Sequence, residues 1–69
     1  NPAKSKVFFE GYNAVENIQI MDALGKVVSK KQFSFVVSNN VLQVDIASLP
    51  DGVYFVEINN SVYRIVKQQ

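Results

Sequence analysis

The sequence predicts a small all-β domain: an antiparallel β-sandwich of six or seven short strands with a Greek-key connection. Apolar residues recur at every second position, and no stretch fits the helical spacing of i, i+3, i+4 and i+7 better. β-branched and aromatic residues fill these stretches. Turn signals built on Asn, Asp and Gly separate them at intervals of about 8 to 12 residues. A small β-barrel is the alternative architecture.

The composition limits what the domain can be. Its 69 residues suffice for one domain, residues 1–69, with a modest core. Cys and His are both absent, which excludes a disulfide and a zinc site built on thiolate or imidazole. A net charge of +1 is too balanced for a nucleic-acid or polybasic membrane surface. Because the chain opens on Asn1, we expect a processed or excised piece of a longer protein.

Six runs are typical of strands, and short turns separate them. Residues 22–26 fit a type I turn followed by Gly25 in the left-handed conformation, since glycine lacks the Cβ that clashes at positive φ. The pairs at 39–40 and 59–60 are both Asn-Asn, and Asn tolerates positive φ in tight turns. The strand candidates are 6–10, 15–22, 26–37, 41–46, 53–59 and 61–67.

Two segments are expected to connect the sheets. The run 26–37 is long for one strand, and Lys30-Lys31 lies near its middle, so we expect a bend there. Its two ends would then join different sheets, with Val27 or Val28 in one and Phe33, Phe35 and Val37 in the other. Residues 47–52 are too long for a two-residue hairpin and are expected to cross between the sheets, with Leu49 in the core.

The strand 53–59 begins apolar on both faces. One face carries Tyr54, Val56 and Ile58, which we expect in the core. The other carries Val53, Phe55 and Glu57. Either long neighbouring side chains shield this second face of a central strand, or a partner covers Val53 and Phe55.

Catalysis and cofactor binding find little support. Without Cys or His, neither a Ser-His-Asp nor a Cys-His arrangement can form. The six carboxylates could supply only a carboxylate pair, for which so small a sandwich offers little cleft. We therefore expect a protein that is not an enzyme and that needs no cofactor, while a calcium site on Asp45, Asp51 and Asn side chains stays open. Sugar binding usually relies on flat exposed aromatic rings, and most of the Tyr and Phe residues fall on core phases; a carbohydrate-binding or adhesive module is the alternative function.

Four basic residues would lie near each other if the long third run bends toward the last strand: Lys30, Lys31, Arg64 and Lys67. Solvated lysines commonly protect strand edges from pairing with another chain. The alternative interpretation is an electrostatic dock for an acidic partner.

Four motifs follow each other along the chain. It opens with NPAK (1–4), continues with IQIMDALGKVV (18–28) and VDIASLPDGVYFV (44–56), and ends with YRIVKQQ (63–69). Their order and spacing closely resemble the type A C-terminal sorting domain of the type IX secretion system of Bacteroidetes, over essentially the whole chain. Met21 departs from that family, which usually has an aromatic residue there.

The resemblance implies an immunoglobulin-like sandwich without catalytic activity, located at the end of a secreted cargo protein. It also implies two partners. One is the type IX outer-membrane translocon, and the other is a sortase-like cysteine peptidase that removes the domain upstream of its first strand. The cargo would pass through the periplasm and outer membrane, often remaining on the cell surface attached to an anionic lipopolysaccharide. Self-association through edge strands is a further hypothesis.

The signal would then be a folded surface on the last two strands. If 61–67 is an edge strand, its free backbone groups could add to a receptor sheet, while Arg64 and Lys67 read acidic groups. Gly52 and Tyr54 would fix the corner that aims these strands. The predicted recognition residues are Gly52, Tyr54, Arg64, Ile65, Val66 and Lys67. No apolar run approaches the roughly 18 to 20 residues of a membrane span.

Overall fold

Two three-stranded sheets make up the fold of residues 5–68, which the computed structural model describes. Within this range the strands number six, all pairings are antiparallel and no helix forms, so the predicted all-β sandwich is confirmed. One sheet has the order β1-β4-β3 and the other β2-β5-β6. The strands are β1 (Lys6–Glu10), β2 (Ile18–Asp22), β3 (Ser34–Ser38), β4 (Val41–Asp45), β5 (Gly52–Ile58) and β6 (Ser61–Lys67).

Alternating apolar residues of both sheets form the core between them. On β4, Leu42 and Val44 are fully buried, while Gln43 and Asp45 on the other face are only half-buried. Because side chains alternate, the β1 and β3 partners of Leu42, which are Phe9 and Val37, also face the core. The buried apolar residues are Phe9, Ile18, Ile20, Phe33, Leu42, Val44, Ile46, Leu49, Tyr54, Val56 and Ile58.

The predicted turns form for the expected reasons. In the 22–26 hairpin, the Gly25 amide donates to the Asp22 carbonyl at 3.0 Å, and Gly25 has a φ of +85°. The Asp22 carboxylate also accepts from the backbone N–H groups of Leu24 and Lys26, each at 2.9 Å. Asn39 and Asn40 both take positive φ, +54° and +67°, as a type I′ turn requires.

The third run does reach both sheets, but the prediction of one bent strand over 26–37 is wrong. Val27 bridges Met21 on β2, and the Val28 amide donates to the Ile20 carbonyl at 2.8 Å. The start of the run therefore lies along β2, at the edge of the β2-β5-β6 sheet. A turn at 30–32 then interrupts the backbone, and a separate strand, β3, begins at Ser34. The connection after β4 crosses between the sheets as expected, with Leu49 buried.

The four basic residues do not gather. Residues 26–28 lie along the free side of β2, whereas β6 forms the opposite edge of the same sheet. The bend after Val28 therefore carries Lys30 and Lys31 away from an edge that Arg64 could share. β2 is also shorter than predicted, since residues 16 and 17 are bonded to the side chain and backbone of Asn59 in the β5–β6 turn and not to a neighbouring strand.

Candidate recognition surface on β5 and β6

β5 is a central strand whose two faces differ in burial. Tyr54, Val56 and Ile58 are buried in the core, as predicted. Phe55 on the opposite face is only half-buried, and it lies between Met21 of β2 and Arg64 of β6. The neighbouring long side chains therefore shield the second face in part, and its use as a partner contact stays a prediction.

The outer face of this sheet is a patch of apolar side chains with few charges. Val62 and Val27 are the most open of them, with exposed fractions of 57% and 56%. Arg64 is also exposed and lies directly across from Phe55. We call this patch the outer β6 face; its members are Gln19, Met21, Val27, Val53, Phe55, Glu57, Val62, Arg64 and Val66.

β6 is an edge strand, as the recognition hypothesis requires. In a hairpin with a two-residue turn, the residues flanking the turn exchange both ladder hydrogen bonds, and bonded pairs then alternate with unbonded ones. Ser61 and Ile58 flank the 59–60 turn. The backbone N–H and C=O groups of Val62, Arg64 and Val66 therefore point away from β5, toward the free edge.

A hydrogen-bonded corner fixes where β5 begins. The Tyr54 hydroxyl donates to the Pro50 carbonyl at 2.6 Å, and burial raises the pKa of Tyr54, with further contributions from the charges of Asp22 and Asp51. Gly52 has a φ of +156°, and an added Cβ would meet only one atom within 4 Å, Cε2 of Tyr54 at 3.9 Å. Backbone conformation, and not lack of space, is therefore the reason for glycine at this position.

Lys67 corrects one expectation. Its side chain is 2% exposed, and its ammonium nitrogen lies 3.8 Å from a carboxylate oxygen of Asp51, so it is not a solvated edge lysine. It pairs with Gly52 at the end of the ladder. The residue thus belongs to the corner and not to the exposed surface.

The six predicted recognition residues divide among three locations. Only Arg64 and Val66 lie on the outer β6 face. Ile65 lies opposite Tyr54 and packs against the core. The remaining three, Gly52, Tyr54 and Lys67, form the corner. The structure therefore separates residues that could contact a partner from residues that position the strand.

Two tyrosines tie β6 to the β1–β2 connection, and the sequence pattern did not single them out. The hydroxyls of Tyr12 and Tyr63 are hydrogen-bonded at 2.5 Å, which raises the pKa of Tyr12, and the Tyr63 ring packs on Phe9 with 4.8 Å between centroids. No sequence signal indicates this pairing, because the two residues are 51 positions apart.

Asn59 fixes the same connection from the turn between β5 and β6. Its side-chain oxygen accepts from the Glu16 amide at 2.8 Å and the Asn17 amide at 3.3 Å, and its side-chain nitrogen donates to the Ala14 carbonyl at 3.3 Å. The sequence signal at Asn59, tolerance of positive φ, is correct, since its φ is +57°. The side-chain contacts follow only from the packing of the two sheets.

The alternative sites gain little from the geometry. A groove of about 420 Å³ beside the corner has Tyr54 as its only aromatic lining residue, and that ring is buried, so the groove has no exposed flat ring for a sugar. The Asp45 carboxylate accepts from the Ala47 amide, while Asp51 faces Lys67. Residues 5–68 hold no group of three or more metal-ligating Asp or Glu side chains, and none of their backbone forms a helix long enough to span a membrane.

The fold and this surface define a small all-β domain in which, among residues 5–68, β6 lies at the edge of its sheet. Comparison with known families identifies it further: the model of the secretion system C-terminal sorting domain matches residues 1–69. The chain belongs to this family of sorting signals of the type IX secretion system of Bacteroidetes. No curated protein and no solved structure matches the chain.

Membership of the family establishes a general role. Its domains are in general non-catalytic signals that direct a protein through the outer membrane to a secreted or surface location. The signal accordingly interacts with the type IX secretion machinery.

Proposed function

We propose that residues 1–69 are the C-terminal domain of a larger secreted protein, and that the outer β6 face with the free edge of β6 is the part read by the outer-membrane translocon. A sortase-like cysteine peptidase then removes the domain upstream of β1, and the cargo is left on the cell surface through an anionic lipopolysaccharide. The observation that carries this proposal is the family match over the whole chain, combined with one edge of β6 that no other strand of residues 5–68 pairs with.

Recognition by strand addition suits this edge. Three backbone positions, at Val62, Arg64 and Val66, offer hydrogen-bonding groups to a receptor strand, and their side chains belong to the outer β6 face. Main-chain hydrogen bonds of this kind supply affinity, and side chains on alternate positions supply specificity. Arg64 is the exposed cation of the strand and would contact an acidic receptor group.

The corner contributes by positioning. Tyr54 and the Lys67–Asp51 ion pair hold the start of β5 and the end of β6 near Pro50, so the edge is presented in one orientation. Lys67 would act through this contact and not by reaching the receptor.

Deletion of the last strand would not test recognition cleanly. Removing residues 62–69 also removes Tyr63 and Ile65 from the core, so loss of export could follow from unfolding. A sharper change is Arg64→Pro, because proline deletes an N–H that faces the free edge and is tolerated there, while the ladder to β5 stays intact. Arg64→Ala is the matched control for the side chain.

The experiment fuses residues 1–69 to a periplasmic reporter in a bacterium with this secretion system and measures reporter outside the outer membrane. Export of the unchanged fusion, with a product that lacks residues 1–69, supports the signal and its removal. Periplasmic retention of the unchanged fusion contradicts the function itself. Stronger periplasmic retention of Arg64→Pro than of Arg64→Ala supports edge addition, because only the proline variant also lacks the edge N–H; equal export of the two contradicts it. Circular dichroism of the purified domains verifies that each variant is folded.

A further inference from the structure

The edge of β3 differs from the other sheet edges because its strand carries no charge. Its residues read SFVVS. By contrast, β1 carries Lys6 and Glu10, and β6 carries Arg64. The edge of β2 is covered by residues 26–28. Proteins usually protect a sheet edge from pairing with another chain by charged residues or by a segment that covers it. Among residues 5–68, β3 has neither.

Apolar side chains on both faces of β3 are open to solvent. Phe35, on the core side, is 45% exposed, and Val36, on the outer side, is 53% exposed. Val36 begins a row across the sheet that continues through Gln43 to Phe8, which is 60% exposed. An extension of the sheet beyond β3 would cover both Phe35 and Val36.

The backbone of β3 is ready to accept another strand. Ser38 and Val41 flank the two-residue turn at 39–40, so they form a hydrogen-bonded pair, and bonded pairs alternate from there. The N–H and C=O groups of Phe35 and Val37 therefore point away from β4. Within residues 5–68 no backbone group bonds to them from that side.

We propose that β3 pairs antiparallel with β3 of a second copy of this chain, about a two-fold axis at Val36. In an antiparallel ladder, residues whose N–H and C=O groups point toward the partner face each other, and residues whose groups point away face each other. A symmetric ladder between two copies is therefore centred on one residue that faces its own copy. Val36 is the one axis position at which all five residues of β3 have a partner in the second copy. Val36 faces Val36 as an unbonded pair, Phe35 and Val37 exchange hydrogen bonds, and Ser34 faces Ser38.

A second copy fits this edge because the strand is self-complementary. The cross-strand pairs are favourable: Phe35 with Val37 joins an aromatic to a β-branched residue, and Val36 with Val36 joins two β-branched residues. No like charges face each other. Lys30 and Lys31 precede β3, so the antiparallel arrangement puts them at opposite ends of the joint ladder. The result is a continuous sheet of order β1-β4-β3-β3-β4-β1, in which the row from Phe8 to Val36 continues into its copy. The contact uses the same patch twice, so assembly stops at two copies.

The absence of Cys from the natural chain makes a direct test available. Opposed residues of an unbonded pair have Cα atoms about 4.5 Å apart, within the range that a disulfide bridges. Val36→Cys is compared with Val62→Cys, a valine of similar exposure on the other open edge strand, β6. Under mild oxidation we expect Val36→Cys to form covalent dimers at least about tenfold faster than Val62→Cys. Equal rates, or a faster Val62→Cys, overturn the proposal.

Solution mass provides the second measurement. Sedimentation of the unmodified chain between about 10 µM and about 1 mM is expected to show a monomer passing to a dimer and no larger species. Val36→Lys should weaken the dimer roughly tenfold or more, because two ammonium groups would face each other, and Val36→Glu should do the same. Mixing these two variants should restore it. A chain that stays monomeric throughout, or a dimer that Val36→Lys leaves unchanged, contradicts the proposal. This outcome is independent of export.

Discussion

The ammonium nitrogen of Lys67 lies 3.8 Å from a carboxylate oxygen of Asp51, across the corner where the chain enters β5. The lysine side chain is 2% exposed and the aspartate 56%, so a buried charge is paired with a largely solvated one. Because Lys67 is also the last residue of β6 and pairs with Gly52, this contact holds the end of the chain to the corner.

Removing the carboxylate of Asp51 should cost more stability than removing the ammonium of Lys67. Asp51→Asn leaves the ammonium of Lys67 buried without its partner, and we expect a loss of about 1 kcal/mol, small because Asp51 is well solvated. Lys67→Met keeps the apolar stem and removes the buried charge, so it should be neutral or stabilising. Urea unfolding measures both, with the exposed Glu10→Gln as control. A larger loss for Lys67→Met than for Asp51→Asn would contradict this account.

Tyr54→Phe tests the hydrogen bond to Pro50 and gives a pH signature. Near pH 7 the variant should lose about 1 kcal/mol, the usual net contribution of such a bond. The raised pKa means that, above the ordinary value of about 10, the folded state holds a proton that the unfolded state has released. The wild-type stability is therefore complete below pH 10 and falls as the pH rises beyond it.

The phenylalanine variant lacks this group, so its stability should fall less steeply above pH 10, and the two curves should converge. Unfolding by urea at several pH values between about 8 and 11 measures this difference. Parallel curves across that range would show that Tyr54 titrates alike in both states, against the prediction.

Asn59→Gly separates the turn conformation from the side-chain contacts. Glycine also accepts positive φ but loses the side-chain bonds to residues 14, 16 and 17, while the backbone bond from residue 59 to the Asn17 carbonyl remains. We therefore expect a loss of about 1 kcal/mol and faster amide exchange at Glu16. Asn60→Gly is the control, since its side chain makes no hydrogen bond among residues 5–68 and is exposed. If both variants lose the same stability, the side-chain amide of Asn59 does not hold the β1–β2 connection.

Two leucines provide a matched pair for the core. Leu42 is fully buried at the centre of β4, and Leu24 is 94% exposed at a hairpin tip. Leu42→Ala should cost about 2 to 5 kcal/mol through lost burial and a cavity, which is a large part of the stability of so small a domain. Leu24→Ala should change the unfolding midpoint very little. Comparable losses would mean that the hairpin tip is packed in solution.

Much of the architecture was predictable from local pattern. The bounds of β1 and β6 agree with the sequence reading, and the alternation at 41–46 identified Leu42, Val44 and Ile46 as core. Such features depend on side-chain period and turn chemistry, which act over a few residues. The third run was misread as one strand because its composition resembles a strand throughout, while the turn at 30–32 arises from the need to reach the second sheet.

The placement of the predicted recognition residues in the fold was less predictable, and Lys67 shows why. A lysine near the chain end is usually solvated, and nothing adjacent in sequence indicates that Asp51 will approach it. The same holds for the hydroxyl contact between Tyr12 and Tyr63 and for the contacts of Asn59.

For this protein, residue order alone determined the all-β class, the turns, the core alternation and the family, because each is written in short-range spacing. Which edges remain open, which face of β5 meets solvent and which charge becomes buried were decided by the tertiary structure. Those properties depend on how two sheets stack and on which strands lie at their borders, and long-range pairing sets both.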